Sequence, residues 1–415
     1  MLRALRHRDF RRLWIGQSVS LIGDGIFLVA IAWLVYDISN QPGALALVGV
    51  AWTLPMVGAL LLGGVLSDRM ERRRLLILSD VVRGTAIGTL GLFALAGEAE
   101  LWHAFVLVAV YGVGEALFQP AFTAIVPDVV PRAQLLQANA LRELMEPLGL
   151  RFAGPALGGL LIAVFGVGTA LLVDASTFIV SALAVSTIAR RSSPREEPGS
   201  VTGDLREGLR FVRERTWMWA TLAGAALFLL LTYGPFEVLL PYIIRNDLGG
   251  NAATFGTVLA AGGLGSIAAA LVLSRTGAPR RHVTFMWIAW TVATALDIGL
   301  AVANAAWQMC AIAFMSFASF TSGMIVWNTL LNTLVPSEML GRVSSVDWFV
   351  SVGLIPVSFA LTGPVSEWLG ARLTLGLAGA AGLLSFALLF VPGARDPERR
   401  PLPSPRAGPQ PISPR

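Results

Sequence analysis

The 415-residue chain contains no lysine, one cysteine and three histidines, and only 14% of its residues are charged. Each scarcity removes a class of chemistry. Without lysine there is no P-loop lysine and no Schiff-base amine. Cys310 lies alone in an apolar run, cannot form an internal disulfide, and is expected to pack as a small core residue. His7, His103 and His282 stand far apart, so neither a metal centre nor a cofactor is expected. The charges are also too few to dissolve a domain of this size, because soluble chains carry about 25% charged residues.

What is present is apolar: 55% hydrophobic residues and a mean hydropathy of +0.69. Runs long enough to cross a bilayer, about 20 residues each, fall at 13–36, 45–66, 75–96, 102–126, 136–164, 168–188, 217–245, 253–274, 283–303, 306–335, 343–366 and 371–391. The chain is therefore expected to be an all-α membrane protein of twelve transmembrane helices. The first run is too long for a signal-peptide core and lacks a small-residue cleavage site, so it is expected to be retained.

All 31 basic residues are arginine, and their distribution orients the chain. Threading twelve spans puts the N-terminal arginines, Arg69, Arg72, Arg73, Arg74, Arg83, Arg132, Arg142, those from Arg190 to Arg215, Arg275, Arg280, Arg281, Arg342 and the tail on one side. Only Arg245 and Arg372 fall on the other. Both termini are thus expected to be cytoplasmic, in the plasma membrane or inner membrane of a bacterium. The same distribution argues against nucleic acid as a partner despite a net charge of +5. Trp14, Trp33, Trp102, Trp217, Trp307 and Trp368 lie near run ends, where an interfacial belt would place them.

The longest polar interruption splits the chain into six-helix bundles at 1–188 and 217–391. Between them lies a cytoplasmic linker, 189–216, in which Leu205, Leu209 and Val212 recur at helical spacing, as in an amphipathic helix on the membrane surface. Residues 392–415 contain eight prolines and are expected to be disordered. Val65-Leu66-Ser67 recurs as Val272-Leu273-Ser274, and Val130-Pro131 as Val335-Pro336, at nearly equal offsets. A duplication with parallel halves would put a site at mid-depth between them.

The loop after the second run, Gly64-Val65-Leu66-Ser67-Asp68-Arg69-Met70-Glu71-Arg72-Arg73-Arg74, resembles the signature loop of the major facilitator superfamily, G-x-L-a-D-R-x-G-R-R. Gly64, Asp68, Arg69, Arg72 and Arg73 match, while Glu71 replaces the second glycine. The resemblance implies a gating latch on the inner side, with the plain alternative that this is a basic loop that sets topology. Gly154-Pro155-Ala156-Leu157-Gly158-Gly159 is similar to the exporter motif G-P-x-x-G-G, in which small residues let helices approach. Leu150 stands where that motif has an earlier glycine.

Ser20-Leu21-Ile22-Gly23-Asp24, Ala32-Trp33-Leu34-Val35, Ile125-Val126-Pro127-Asp128, Gln137-Ala138-Asn139-Ala140-Leu141 and Val238-Leu239-Leu240-Pro241 look like the enterobactin-exporter and macrolide-efflux branch. Val108 occupies the place of the fourth-span arginine of many drug/proton exporters, so coupling through that residue is unsupported.

Ionisable groups at mid-membrane cost about 2.5–3.5 kcal/mol each on insertion scales and are functional candidates by default. Asp24, Glu115 and Arg151 lie at the middle of the first, fourth and fifth runs. Arg151 is expected to pair with Asp24 while Glu115 exchanges a proton or meets a polar substrate. The alternative is a static ion pair with Glu115 hydrogen-bonded to a neighbour. Asp174, Glu237, Asp297 and Asp347 lie off-centre, and Arg142, Glu143 and Glu146 are candidates for an inner latch. Trp33, Trp52, Phe118, Phe236 and Trp327 are candidate cavity linings.

The reading is a secondary transporter working by alternating access: a monomer in the lipid bilayer that exports hydrophobic or amphipathic small molecules, drug or siderophore, against a proton gradient. No polar stretch is long enough for an ATP-binding domain, and no catalytic residue is expected, so the chain is not read as an enzyme. An importer or facilitator, or a non-transporting receptor or scaffold, are the alternatives.

Overall fold

A computed structural model describes residues 3–131, 134–189, 201–277 and 279–399; within these, the side chains of some helical residues, 61–69 among them, are outside the description. Every described regular element is helical. Among the described residues, twelve stretches are long and apolar enough to cross a membrane. Nine are single helices: α1 (Arg8–Ile38), α2 (Pro42–Arg69), α3 (Arg72–Ala96), α4 (Leu101–Val129), α7 (Val167–Ser186), α9 (Thr216–Asn246), α10 (Ala252–Thr276), α11 (His282–Val302) and α12 (Ala306–Leu334).

The other three spans are composite. Span five joins α5 (Leu135–Glu143) through a π-helical segment, Glu146–Ala153, to α6 (Gly154–Phe165). The Gly154 N–H reaches back five residues to the Gly149 carbonyl. Pro147, the second residue of this segment, and Pro155, just beyond it, supply no N–H, which favours such a wide turn. Span eleven breaks between α13 (Ser337–Gly353) and α14 (Ile355–Leu369), where Pro356 follows Gly353. Span twelve begins as α15 (Ala371–Gly382) and tightens into a 3-10 segment, Leu383–Phe390.

Packing repeats with a six-span offset. In the first half span two lies on span four, span three on four and six, and span one on five and six. In the second half span eight lies on ten, nine on ten and twelve, and seven on eleven and twelve. Even the contacts between halves obey the offset, since α6 packs on α10 and α14 on α2. This is the geometry of parallel repeats related by an axis along the membrane normal.

The polar segments pack onto the bundle. Helix α8 (Val201–Arg213) forms within the linker and docks on the second half. Glu207 pairs with Arg342 at 2.8 Å, a Cβ on Gly208 would stand 2.7 Å from the Arg342 carbonyl oxygen, and Val212 is buried. Of its apolar stripe, Leu209 is exposed and the Leu205 side chain is outside the description. The tail does not lose order at Pro392. Residues 392–399 fold back, Ala394 is buried, and Glu398 Oε1 accepts the Thr284 N–H at 2.6 Å, giving one orphan donor at the start of α11 a partner. Residues 400–415 lie outside the described residues.

Candidate transport site

Charge inside the first half gathers on Arg83. This guanidinium was expected on the inner surface, yet it lies eleven residues into α3 and is buried among α1, α4 and α7. It donates to Asp80 at 2.7 Å and stands 3.7 Å from Asp24. Its centre lies 4.5 Å over each of the Phe118 and Phe178 rings, so the cation meets two aromatic clouds. Asp80 and Arg83 are spaced i, i+3, which puts both on one face of α3.

Asp24 also accepts the Tyr111 hydroxyl at 2.9 Å, and Glu115 accepts the Trp52 indole N–H at 2.8 Å. The Phe27, Trp52 and Tyr111 rings touch one another, with centroids 4.7 to 5.8 Å apart. Glu115 remains within electrostatic reach of Asp24 and Arg83. Asp174, on α7, completes the group, within electrostatic reach of both Asp24 and Arg83. It is fully buried against Gly23, and neither carboxyl oxygen has a hydrogen-bond partner among the described residues. Four carboxyls thus surround one guanidinium, an arrangement that cannot be neutral with every carboxyl ionised.

Arg151 does not pair with Asp24. The π-helical turn swings it toward the space between the halves, where it meets Glu146 at 3.6 Å and lies 6.0 Å from the Phe317 ring. Tyr233 and Glu237 of α9 are within electrostatic reach. Its side chain keeps 42% of its surface open beside these second-half groups. Phe236 packs there against Phe317 at 5.9 Å. Of the expected inner latch, Arg142 lies 5.3 Å from the Phe122 ring and within electrostatic reach of Glu143 and Glu146, while Glu146 also meets Arg151.

The exporter-like motif is an interface of small residues. Hypothetical Cβ atoms on Gly154 and Gly158 would stand 2.6 Å from Gly25 Cα and 3.0 Å from Ile26 Cα of α1. One on Gly159 would stand 2.7 Å from the Ala252 carbonyl oxygen of α10. Pro155 stands at the second position of α6, where its missing N–H costs least, and its carbonyl meets Gly256. In the signature loop, Arg72 donates to Asp128 at 2.8 Å and to the Ala124 carbonyl at 2.9 Å, and Arg73 donates to the Ser186 carbonyl. Both ties stay inside the first half. The side chains of Gly64, Asp68 and Arg69 lie outside the described residues.

At the end of the bundle opposite the N-terminus the halves are tied together. Asp37 pairs with Arg245 at 2.6 Å, Asn40 and Asn246 exchange amide hydrogen bonds of 2.6 and 3.1 Å, and the Tyr36 hydroxyl donates to the Val238 carbonyl at 2.6 Å. Trp33 lies here, its ring 5.3 Å from Arg245. Of the expected interfacial tryptophans, Trp102, Trp307 and Trp368 are exposed. Trp217 is buried against Trp327, and Trp14 is held by the Leu141 carbonyl. The second half holds an aromatic cavity of about 210 Å³ that includes Trp327 and Asp347.

Comparison with known proteins agrees with this architecture. The sequence pattern of the family described as transmembrane secretion effector, a branch of the major facilitators, matches residues 1–404. The chain belongs to the major facilitator superfamily. It is 31% identical over 399 residues to the enterobactin exporter EntS of Shigella boydii, covering 93% of this chain and 90% of that one. It is 30% identical over 393 residues to the multidrug efflux pump Tap of Mycolicibacterium fortuitum, covering 90% and 93%. The nucleoside transporter NupG, in the crystal structure of a point mutant, shares the fold with a TM-score of 0.71 at 11% identity, covering 92% and 99%. This facilitator is a multi-pass membrane transporter and not an enzyme.

Arg83, Asp80 and Tyr111 were the functional candidates that reading by runs missed in this facilitator. Counting Arg83 with the loop arginines hid it. The signal was available: an Asp and an Arg three residues apart, both inside the 75–96 run, form a self-neutralising pair that a topogenic loop does not require.

Proposed function

We propose that this facilitator is a proton-coupled exporter of hydrophobic or amphipathic small molecules, drug-like or siderophore-like, with both termini cytoplasmic and the halves rocking about the seam that Arg151 faces. The observation that carries the coupling is the excess of carboxyls around Arg83. In a medium where each buried charge is expensive, a single guanidinium balances at most one carboxylate, so the group holds protons and exchanges them as its surroundings change. Asp24 is its junction: it touches Tyr111 and Arg83 at once and belongs to α1, which also packs on the exporter-like motif. Glu115, bound to Trp52, is the second proton-exchanging group.

Export as the direction is favoured by the names of the two efflux relatives and by the Gly-Pro motif. The arginine excess at the end carrying the N-terminus favours a cytoplasmic N-terminus. Everted vesicles bearing the full chain, energised by an inside-acid gradient, should accumulate an amphipathic dye, and Asp24→Asn and Glu115→Gln should each remove that drive. Full driven transport in both variants would overturn the coupling. Accumulation confined to right-side-out vesicles would overturn the direction.

A further inference from the structure

The cavity of the second half lies apart from the charge cluster and is lined by side chains of spans seven, nine, ten, eleven and twelve. Its walls are aromatic. Trp287 and Trp290 meet edge to face at 6.0 Å, Phe228 and Phe320 stack at 5.9 Å, and Trp327 and Trp348 complete the wall. Glycines make this crowding possible: a Cβ on Gly224 would run into the Trp287 ring, and one on Gly323 into the Trp290 indole nitrogen.

One ionisable group faces the cavity. Asp347 accepts the Trp327 N–H at 3.2 Å and has a Ser351 hydroxyl at 3.5 Å, but no ion pair reaches it among the described residues. The Trp287 and Trp290 N–H groups, both on the wall, have no acceptor among the described residues. Aromatic faces attract cations, a lone carboxylate in apolar surroundings calls for a counter-charge, and orphan indole donors suit an acceptor atom.

We propose that this cavity is a binding site for a flat, monovalent organic cation, held between indole faces with its charge toward Asp347. Anions are disfavoured by the carboxylate, and neutral aromatics gain the stacking without the charge. The site would give the exporter reading above its substrate class, and it rests on that reading only for its use in transport. Binding itself needs no gradient and is tested without one.

The experiment is equilibrium dialysis of N-methylquinolinium and of its neutral isostere 1-methylnaphthalene against the purified full chain in lipid nanodiscs. The cation should bind saturably and at least about tenfold tighter than 1-methylnaphthalene. Asp347→Asn should remove that preference while leaving 1-methylnaphthalene binding unchanged, and Asp347→Glu should keep it. Gly224→Ala, which pushes a methyl group into Trp287, should weaken both ligands and covers the case in which Asp347→Asn does not fold. Equal affinities, a preference that survives Asp347→Asn, or no saturable binding would overturn the proposal. Because binding is read without a gradient, failure of driven transport would overturn the exporter reading and leave this site standing, whereas equal affinities overturn this site alone.

Discussion

The two halves of this facilitator have the same packing diagram and different interiors. In the first, the space enclosed by spans one, three, four and six holds Asp24, Asp80, Arg83 and Asp174, with Glu115 within electrostatic reach. In the second, five spans enclose an aromatic cavity with a lone Asp347, and Asp297 is held by the Ser316 hydroxyl at 2.9 Å. A duplicated scaffold needs its backbone contacts in both copies but its chemistry in neither, so side chains are free to diverge inside an unchanged frame. One half encloses a cluster of buried charges, the other an aromatic cavity.

The largest test of that contrast is Arg83→Met. Removing one partner of a buried ion pair typically costs about 3–5 kcal/mol, because Asp24 and Asp80 lose their counter-charge together. Thermal unfolding in nanodiscs should register it, and an unchanged midpoint would mean the pair is not buried as described. In the second half, Gly323→Leu should cost about 1–3 kcal/mol by overpacking against Trp290. Its pH dependence of transport should be unaltered, and a shifted profile would blur the division between the halves.

Next comes Glu115→Gln, for which driven export should fall at least about tenfold, or 1.4 kcal/mol, while solute exchange without a gradient continues. Asp297→Asn is the paired control. It keeps an acceptor for Ser316 and should leave driven export intact, so equal losses in both variants would erase the contrast. The smallest effect is expected for Arg245→Gln at the closed end, since a part-exposed ion pair contributes about 0.2–1 kcal/mol. Spin labels near residues 40 and 246 should report a modest gain in separation; no change would leave the amide pair and Tyr36 as sufficient closure.

Much of the fold was legible because lipid imposes it. Every backbone polar group in hydrocarbon must be satisfied within its own segment, so length and hydropathy alone mark the spans. The composite spans were not legible as such, since a π turn depends on where Pro147 and Pro155 leave carbonyls unpaired, and that leaves no trace in hydropathy. Asp24, Glu115 and Arg151 stood out as charges at mid-run, but which charge meets which depends on helix rotation. Arg151 and Asp24 share a depth and not a face, because the wide turn redirects one of them. The aromatic cavity was legible only through Trp327: its other tryptophans come from spans nine and eleven, and Gly224 and Gly323, which make room for two of them, look like ordinary small residues in apolar runs.

The contact between α6 and α10 has a mechanical consequence. Where Gly159 faces Ala252 and Gly256, backbone lies on backbone with no side chains interleaved. Interlocked ridges would fix a crossing angle and resist rotation. Bare main chain offers no teeth. Its pseudo-symmetric counterpart between α2 and α14 has Gly43 under Gly363 but also seats the Phe359 ring against Gly49. Of the two contacts on opposite sides of the axis, one is a bare bearing and the other carries a single tooth, so a tilt of one half on the other would have only that ring to unmesh.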